Sequence, residues 1–552
     1  MRPGRSPNDS QPPTSRPADL ITKKLRITTG FYRRLGLAFI TILLFSAYPA
    51  WANETWNAAP VNGDWDTAAN WTPAVVPGET DDVTFNASSI TAITFSADSG
   101  VRDAIFNPGA SAYTYTASHL SNMTFAVVGI TNNSGSTQQF VSQPDEEGNS
   151  GAFIFTNSAA AGRQTAFFSK APTALSGSGG VVEFLDTAAA GYGTYTNEGS
   201  ALSGAIPGAT VFFFNPTADH GAFLNLAATA GGASGGMTIF YSSSKGANAT
   251  VTNQGATVSG AAGGMTLFTD SSSAGAATLI ANGGSNGGGG GLIEFLVHST
   301  GDTSRVEVFG NGTLDVSAHK SMGVGSIEGD GLVLLGTNTL TTGSNGLSTI
   351  FSGVIEQQNG TTGSLAKTGV GTLTLGTPST YTGGTTVSAG TLVVSNKSGS
   401  ATGTGAVNVS GGTLGGKGII SGAVTVNSGA FLAPAHGTKQ QSTLTVQSAF
   451  TFNAGSTYTY SFKAKGKQAK TDKVIANGVT VNSGASFNLS GTTKGTLTSG
   501  LVLTVISNTS ATPISGTFSN LADGAIVTVN GNNLQASYEG GDGNDLTLTV
   551  VP

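Results

Sequence analysis

The side chains of this chain that could do chemistry are few and widely spaced. The run Gly540-Gly541-Asp542-Gly543-Asn544-Asp545-Leu546-Thr547-Leu548 fits the nonapeptide pattern GGxGxDxUx. In that pattern carbonyls of a Gly-rich turn and an Asp carboxylate supply oxygen ligands to calcium. Asp545 is the candidate ligand. Such a site draws its ligands from two stacked copies and the chain carries one, so the plainer reading is a turn leading into a closing strand. His119, His220, His298, His319 and His436 lie far apart, and none has a partner at zinc-like spacing. No metal site is expected beyond the half-site at Asp545, and no cofactor. Glycoside hydrolysis takes two carboxylates about 5–9.5 Å apart. Glu183 and Glu294 each precede a recurring Phe and are expected to face outward, but about four coils, roughly 20 Å, apart. Asp186, Asp219 and Asp270 fall in turns, where Asp is ordinary. Arg after residue 52 is limited to Arg102, Arg163 and Arg305. No catalytic residue is assigned. Lys463, Lys465, Lys467, Lys470 and Lys473, with Asp472 among them, form one basic cluster, read as a solvated loop. Trp56, Trp65 and Trp71 could stack on sugars or shield the end of a fold; burial is the commoner use of Trp.

Short alternating strands must position all of these. Gly-Thr-Leu recurs at Gly371, Gly390 and Gly412, with a relative at Gly429-Ala430-Phe431. Self-similarity at roughly 20 residues marks a solenoid, in which each coil covers the apolar face of its neighbour. A longer period precedes it. Phe184, Phe214, Phe240, Phe268 and Phe295 recur in contexts such as Gly235-Gly236-Met237-Thr238-Ile239-Phe240, and are expected to stack as an internal ladder. In the shorter coils Leu373, Leu375, Val407, Val409, Val424 and Val426 should point inward, with Thr372 and Thr374 outward. No periodicity supports a substantial helix after residue 52. The fold class is therefore all-β: a right-handed parallel β-helix with N-terminal and C-terminal β caps. Its segments are a Trp-containing cap and first strands (53–150), coils of about 27 residues (151–310), shorter coils (311–441), and a C-terminal β cap, either further irregular coils or a small β-sandwich (442–552).

The segment 365–396 resembles the autotransporter-associated β-strand repeat, also called the passenger-associated transport repeat. The matching residues are Lys367-Thr368-Gly369, Gly371-Thr372-Leu373-Thr374-Leu375, Tyr381-Thr382-Gly383-Gly384-Thr385-Thr386-Val387 and Gly390-Thr391-Leu392. The resemblance implies a right-handed β-helix on, or released from, a bacterial surface, with the repeat assisting export and folding. It supplies no catalytic site. A translocator barrel needs about 8–26 strands of roughly ten residues each. The Gly/Asn-rich residues 442–552 do not supply them, so the resemblance is to the passenger module alone.

Residues 1–52 read as a signal peptide: a basic region with Lys23, Lys24, Arg26, Arg33 and Arg34, an apolar run Leu35–Phe45, and cleavage after Ala52. That run is too short to span a bilayer comfortably, which takes about 20 residues. Those residues hold eight of the 24 Lys and Arg and two of the 30 Asp and Glu, so the remainder carries a formal net charge of −12. An acidic surface argues against nucleic acid and anionic membrane as partners. Cys is absent, which excludes disulfides and a lipid-bearing Cys. Gly (81 of 552 residues) is about twice its usual share of roughly 7%, as short strands joined by tight turns require. The expected function is that of an exported structural or adhesive element of the cell surface or outer membrane, not an enzyme, with surface glycans or extracellular matrix as partners. A β-helical polysaccharide lyase or glycoside hydrolase is the alternative. Its mark would be Asp, Glu or Arg clustered over adjacent coils. Nothing in the sequence sets an oligomeric state.

Overall fold

The computed structural model describes residues 53–552 apart from 176, 320, 359 and 437–439. The signal-peptide reading and the cleavage position after Ala52 lie outside the described residues. Strand alternation decides the architecture. From Asp82–Phe85 to Val502–Asn508 successive coils stack strand on strand in parallel, the hairpin strand Gln468–Thr471 apart. Among the described residues the chain is all-β; its one helical element is the three-residue 3-10 turn Ala68–Asn70. The parallel β-helix expected from the repeats is the fold.

The long coils come first. One sheet of 14 strands ends at Val354–Glu356, and a second sheet begins at Ala92–Thr94. Between them runs a line of single parallel bridges through Gly129, Ala160, Ala189, Thr217, Lys245, Ser273 and Thr300. Each coil thus has two strands and a one-residue third contact. Inside the first sheet Phe125, Phe155, Phe184, Phe212, Phe240, Phe268 and Phe295 stack with ring centroids 4.5–4.9 Å apart. This is the strand spacing itself. The ladder corrects one expectation: Phe212, not Phe214, pairs with both Phe184 and Phe240. Phe214 ends its strand at φ 81° and is 37% exposed. Tyr115, Phe140, Phe167, Tyr195 and Phe223 form a facing stack in the second sheet, with centroids 4.6–5.0 Å apart.

Some of the polar groups buried in these coils form a ladder of their own. Asn197 Nδ2 donates to Asn225 Oδ1 (2.8 Å), and Asn225 Nδ2 to Asn253 Oδ1 (2.7 Å). Thr210, Thr238 and Thr266 each donate to one of those amide oxygens at 2.9 Å. Stacked amides let Asn197 and Asn225 spend their donors on the next amide up, which burial demands, while the Nδ2 of Asn253, at the end of the ladder, has no partner among the described residues.

The second sheet divides at Ser321–Gly329. Ser321–Val324 carries Thr339–Thr342, while Gly329 pairs with Phe351 of Thr349–Phe351. Two ladders continue from there, ending at Val479–Val481 and Ser486–Lys494. The first sheet's line is carried past Val354–Glu356 by single bonds: Thr380 N to Ile355 O (3.0 Å), Ser379 N to Ser400 O (2.9 Å) and Ala401 N to Ile419 O (3.1 Å). Strands resume at Ile419–Ile420 and run to Val502–Asn508. Leu373, Leu375, Val407, Val409, Val424 and Val426 are buried, and Thr372 and Thr374 are not.

Both ends are closed. Trp56, Trp65 and Trp71 are at most 1% exposed and pack edge to face, with centroids 5.1 and 4.7 Å apart. At the other end the parallel ladders pass straight through residue 442, so of the two forms expected for the C-terminal segment further coils fill much of it. Antiparallel closure comes from Ile526–Val529, Asn532–Gly540 and Asp545–Val551, laid against Val502–Asn508.

Candidate functional site

Asp545 lies opposite Gly540 in the closing hairpin, whose turn is tied by Gly543 N donating to Gly540 O at 2.9 Å. One carboxylate oxygen accepts the Asn508 amide at 2.8 Å, and burial raises the pKa of the group. The neighbouring strand brings Asn508 to this carboxylate, not a second GGxGxD turn. Asp545 therefore braces a hairpin against the last coil.

Coiling brings together two groups that the linear sequence keeps apart. His119, Asp145 and Glu147 have potential ligand atoms within 4.8 Å of one another. His119 Nδ1 lies 2.5 Å from Asp145 Oδ2. Against the opposing effect of burial, hydrogen bonds from Asn149 and His119 hold the Asp145 pKa down to about 2. The separation of 26 residues is close to one coil length, which is the signal that could have revealed the pairing. The group is exposed to half-buried and ties two turns together. The second group is Arg305, Glu307 and Glu328. Glu307 and Glu328 are in register on adjacent strands, and Arg305 Nε pairs with both, at 3.1 Å from Glu307 Oε1. Burial raises the Glu307 pKa against the pull of Arg305, and Glu328 adds to the rise. The expected scatter of carboxylates is corrected here. The shared guanidinium holds both as ion pairs on a strand face.

The other candidates stay separate. Glu183 and Glu294 lie on the face opposite the Phe ladder, as expected of outward positions, yet Glu294 is only 4% exposed. The Trp residues offer no ring face to a sugar, being buried. On the coil surface Tyr192 is sandwiched: the Arg163 guanidinium lies 3.8 Å over its ring, and His220 stacks on it at 4.6 Å.

The coil that begins at Ser364–Lys367 is tightly constrained. Leu365 and Lys367 pair with Thr385 and Val387 of the next coil, and Leu373 with Leu392. Lys367 is 1% exposed, and its ammonium donates to the carbonyls of Thr368, Gly369 (2.9 Å) and Ala389 (3.3 Å). Burial lowers its pKa to about 8, while three carbonyl dipoles favour the charged form. Tyr381 is fully buried, and its hydroxyl meets Thr385 Oγ1 at 2.6 Å. Gly390 and Gly412 stack at φ 64° and 67°, and a Cβ on Gly390 would fall 2.3 Å from Gly369 O. Only Gly fits there.

Residues 365–394 match the family model of the passenger-associated-transport-repeat. No curated protein matches the chain at a significant level. The transport repeat is one full coil plus the opening strands of the next. The Gly-Thr-Leu phrases stack in register, Thr372 on Thr391 on Thr413, but the expected relative is one residue out: Phe431, not Ala430, stands on Thr413, and Leu432 takes the inward place on Leu414. The match marks this coil as passenger-like, with the exported, surface-associated setting that such repeats imply. The transport repeat holds no solvent-facing acid, base or nucleophile in a cleft; its one ionisable cation is committed to backbone carbonyls. Among the described residues no helix is long and apolar enough to cross a membrane.

Proposed function

We propose that this chain is an exported, passenger-type β-helix with a structural and adhesive role at a bacterial surface or in the medium. The observation that carries the reading is the transport repeat built as an uninterrupted coil of a long parallel stack. A parallel stack of this kind can fold coil by coil from one end, which suits vectorial emergence across a membrane. The repeat then assists export and folding, and the coil faces engage surface glycans or matrix through many weak contacts. Cleavage after Ala52 belongs to the same proposal; N-terminal sequencing of the exported protein should begin at Asn53. The principal test probes intact cells, outer membrane, periplasm and medium with an antibody to residues 151–310. Protease-sensitive signal on whole cells, or signal in the medium, is expected. Protein confined to the periplasm overturns the reading.

One observation favours a second reading, a β-helical polysaccharide lyase or glycoside hydrolase: Glu307 and Glu328 sit side by side on adjacent coils. Arg305 pairs with both, and neither the concavity of about 780 Å³ near Lys465 nor the one of about 330 Å³ near Glu79 includes them. We therefore take the protein as non-enzymatic. Release of reducing ends or unsaturated products from plant or bacterial polysaccharides, abolished by E307Q/E328Q, would reverse that choice.

A further inference from the structure

We propose that the lysine-bearing tongue formed by Thr457–Lys465, Gln468–Thr471 and Ser486–Lys494 is a binding site for an anionic polysaccharide. The inference deepens the surface reading above by naming the class of glycan and the site that takes it.

The sequence cluster is not a loop. The preceding coil contributes only Phe431–Leu432 at this place, and just Thr457 and Tyr458 rest on it. Thr457–Lys465 runs on to nine residues, paired along its whole length with Ser486–Lys494. Where the previous coil gives no partner, Gln468–Thr471 folds back and pairs antiparallel with Phe462–Lys465. Lys463 stands opposite Lys470 on one side and Thr492 on the other; Lys465 stands opposite Gln468 and Lys494. Residues directly opposite share a face, so Lys463, Lys465, Lys470 and Lys494 point the same way. Phe462 and Ala464 occupy the reverse face, buried at 1% and 6% exposure.

Four exposed ammonium groups are thus gathered on one face, and none has an ion-pair partner among the described residues. The nearest acid in sequence, Asp472, is turned inward at 1% exposure and accepts from Ser461 N (2.9 Å), Ser461 Oγ (2.6 Å) and Ser442 N (2.9 Å). Like charges directly opposite across strands are destabilising. Two such oppositions, Lys463 with Lys470 and Lys465 with Lys494, stand in a chain that is acidic elsewhere. Lysine on an edge strand commonly blocks edge-to-edge aggregation. That explains Lys470 and Lys494 but not Lys463 and Lys465, whose strand is paired on both sides.

The chemistry of the face selects the ligand. Its charges are lysines, compact point charges suited to dispersed carboxylate or sulfate groups, not to bidentate forks. The face carries no aromatic ring on which bases could stack, as a single-stranded nucleic acid site would. It continues along the strands as Ser490, then Thr459 and Asn488, groups that hydrogen-bond sugar hydroxyls. An open concavity of about 780 Å³ lies against Lys463, Lys465, Lys467, Lys470 and Lys494, with Ala464 and Ala469 also in its lining. A long rigid polyanion would meet the acidic remainder of the rod, whereas a flexible anionic glycan need touch only the tongue.

The test titrates the purified protein with polygalacturonate, neutral dextran and duplex DNA. Binding to polygalacturonate and not to dextran is expected, weakening by about tenfold or more between roughly 50 and 300 mM salt. K463Q/K465Q/K470Q/K494Q should lower affinity by about tenfold or more, and the corresponding four Lys→Arg changes should retain it, because the loss is of charge. K245Q/K397Q/K417Q, three exposed lysines elsewhere, should leave affinity within about twofold. Circular dichroism unchanged by the substitutions separates lost charge from lost fold. Absent binding, equal or better binding to DNA, or unchanged affinity in the four-fold Gln variant overturns the inference. A surface-exposed protein that ignores polygalacturonate defeats this inference alone, and a binder confined to the periplasm defeats the surface reading alone.

Discussion

The long coils and the short coils are two answers to one packing problem. In both, strand spacing fixes the rise per coil, so what varies is the girth and the filling. In the long coils ladder positions recur every 27 to 29 residues from Phe155 to Phe295, and the filling is stacked aromatic rings with a short amide ladder. In the short coils Leu373, Leu392, Leu414 and Leu432 recur every 18 to 22 residues, and the filling is mainly aliphatic, with one buried tyrosine, Tyr381, and one buried ammonium. A wider coil needs larger side chains, and rings stacked at strand spacing gain contact at both faces. It also has more turn residues to order, at a cost of about 1–2 kcal/mol each in backbone entropy. A narrow coil avoids that cost but leaves no room for error in its turns, hence the Gly at 390 and 412.

The sharpest way to break this contrast is to hollow each core. Phe240→Ala should cost about 3–5 kcal/mol, since it removes a ring stacked on two others, and Leu373→Ala about 2–4 kcal/mol. Hydrogen exchange should place each loss in the mutated coil and its immediate neighbours. A loss spread evenly over the whole rod would erase the distinction between regions. Next in size is Asn225→Ala, which strands the donors of Asn197 and Thr238 and should cost about 1–3 kcal/mol, read from urea unfolding. If it proves neutral, the amide ladder is incidental to the wide coil.

The pH response should run in opposite directions at two buried charges. Asp103, in the first long coils, has its pKa raised to about 6 by burial, with Asp82 adding to the rise. Its folded state holds a proton that the unfolded chain releases. Its contribution is therefore full below about pH 4 and is lost as pH rises through about 6. Lys367, lowered to about 8, is the reverse: between about pH 8 and 10.5 the unfolded chain holds the extra proton, so stability rises with pH there. Each effect amounts to about 1–3 kcal/mol, and Asp103→Asn and Lys367→Met should each flatten their own window. The smallest effect tests ladder register. Phe214→Asn should change stability by no more than about 0.5 kcal/mol, because Asn tolerates the left-handed backbone there. A loss comparable to Phe240→Ala would return Phe214 to the core.

Much of this was legible because repetition was. Period, strand content, inward Leu and Val, and the Trp-filled end all follow from alternation and spacing. Register within Phe212-Phe213-Phe214 did not, because three successive aromatics fit any phase and only pairing with Phe184 and Phe240 chooses among them. Residue 442 read as a boundary because Pro434 interrupts the pattern, yet the coil absorbs that interruption in a turn before Thr443–Val446. The lysine tongue read as a loop because its register depends on a strand that arrives later, Ser486–Lys494. The meetings of His119 with Asp145 and of Glu307 with Glu328 depend on coil length, which no single position encodes.

The divided strand Ser321–Gly329 has a mechanical consequence. Two ladders above it converge on nine residues that continue downward as one. Tension applied from the far end is shared within this sheet between two branches until it reaches this strand, and is then borne there by one row of backbone bonds beside the first sheet, which runs past the fork undivided. Peeling that unzips one narrow coil at a time would stall at the fork, where neither branch can part without loading the other. Under shear the rod has a crotch, and the wide coils beneath it are shielded until that crotch gives way.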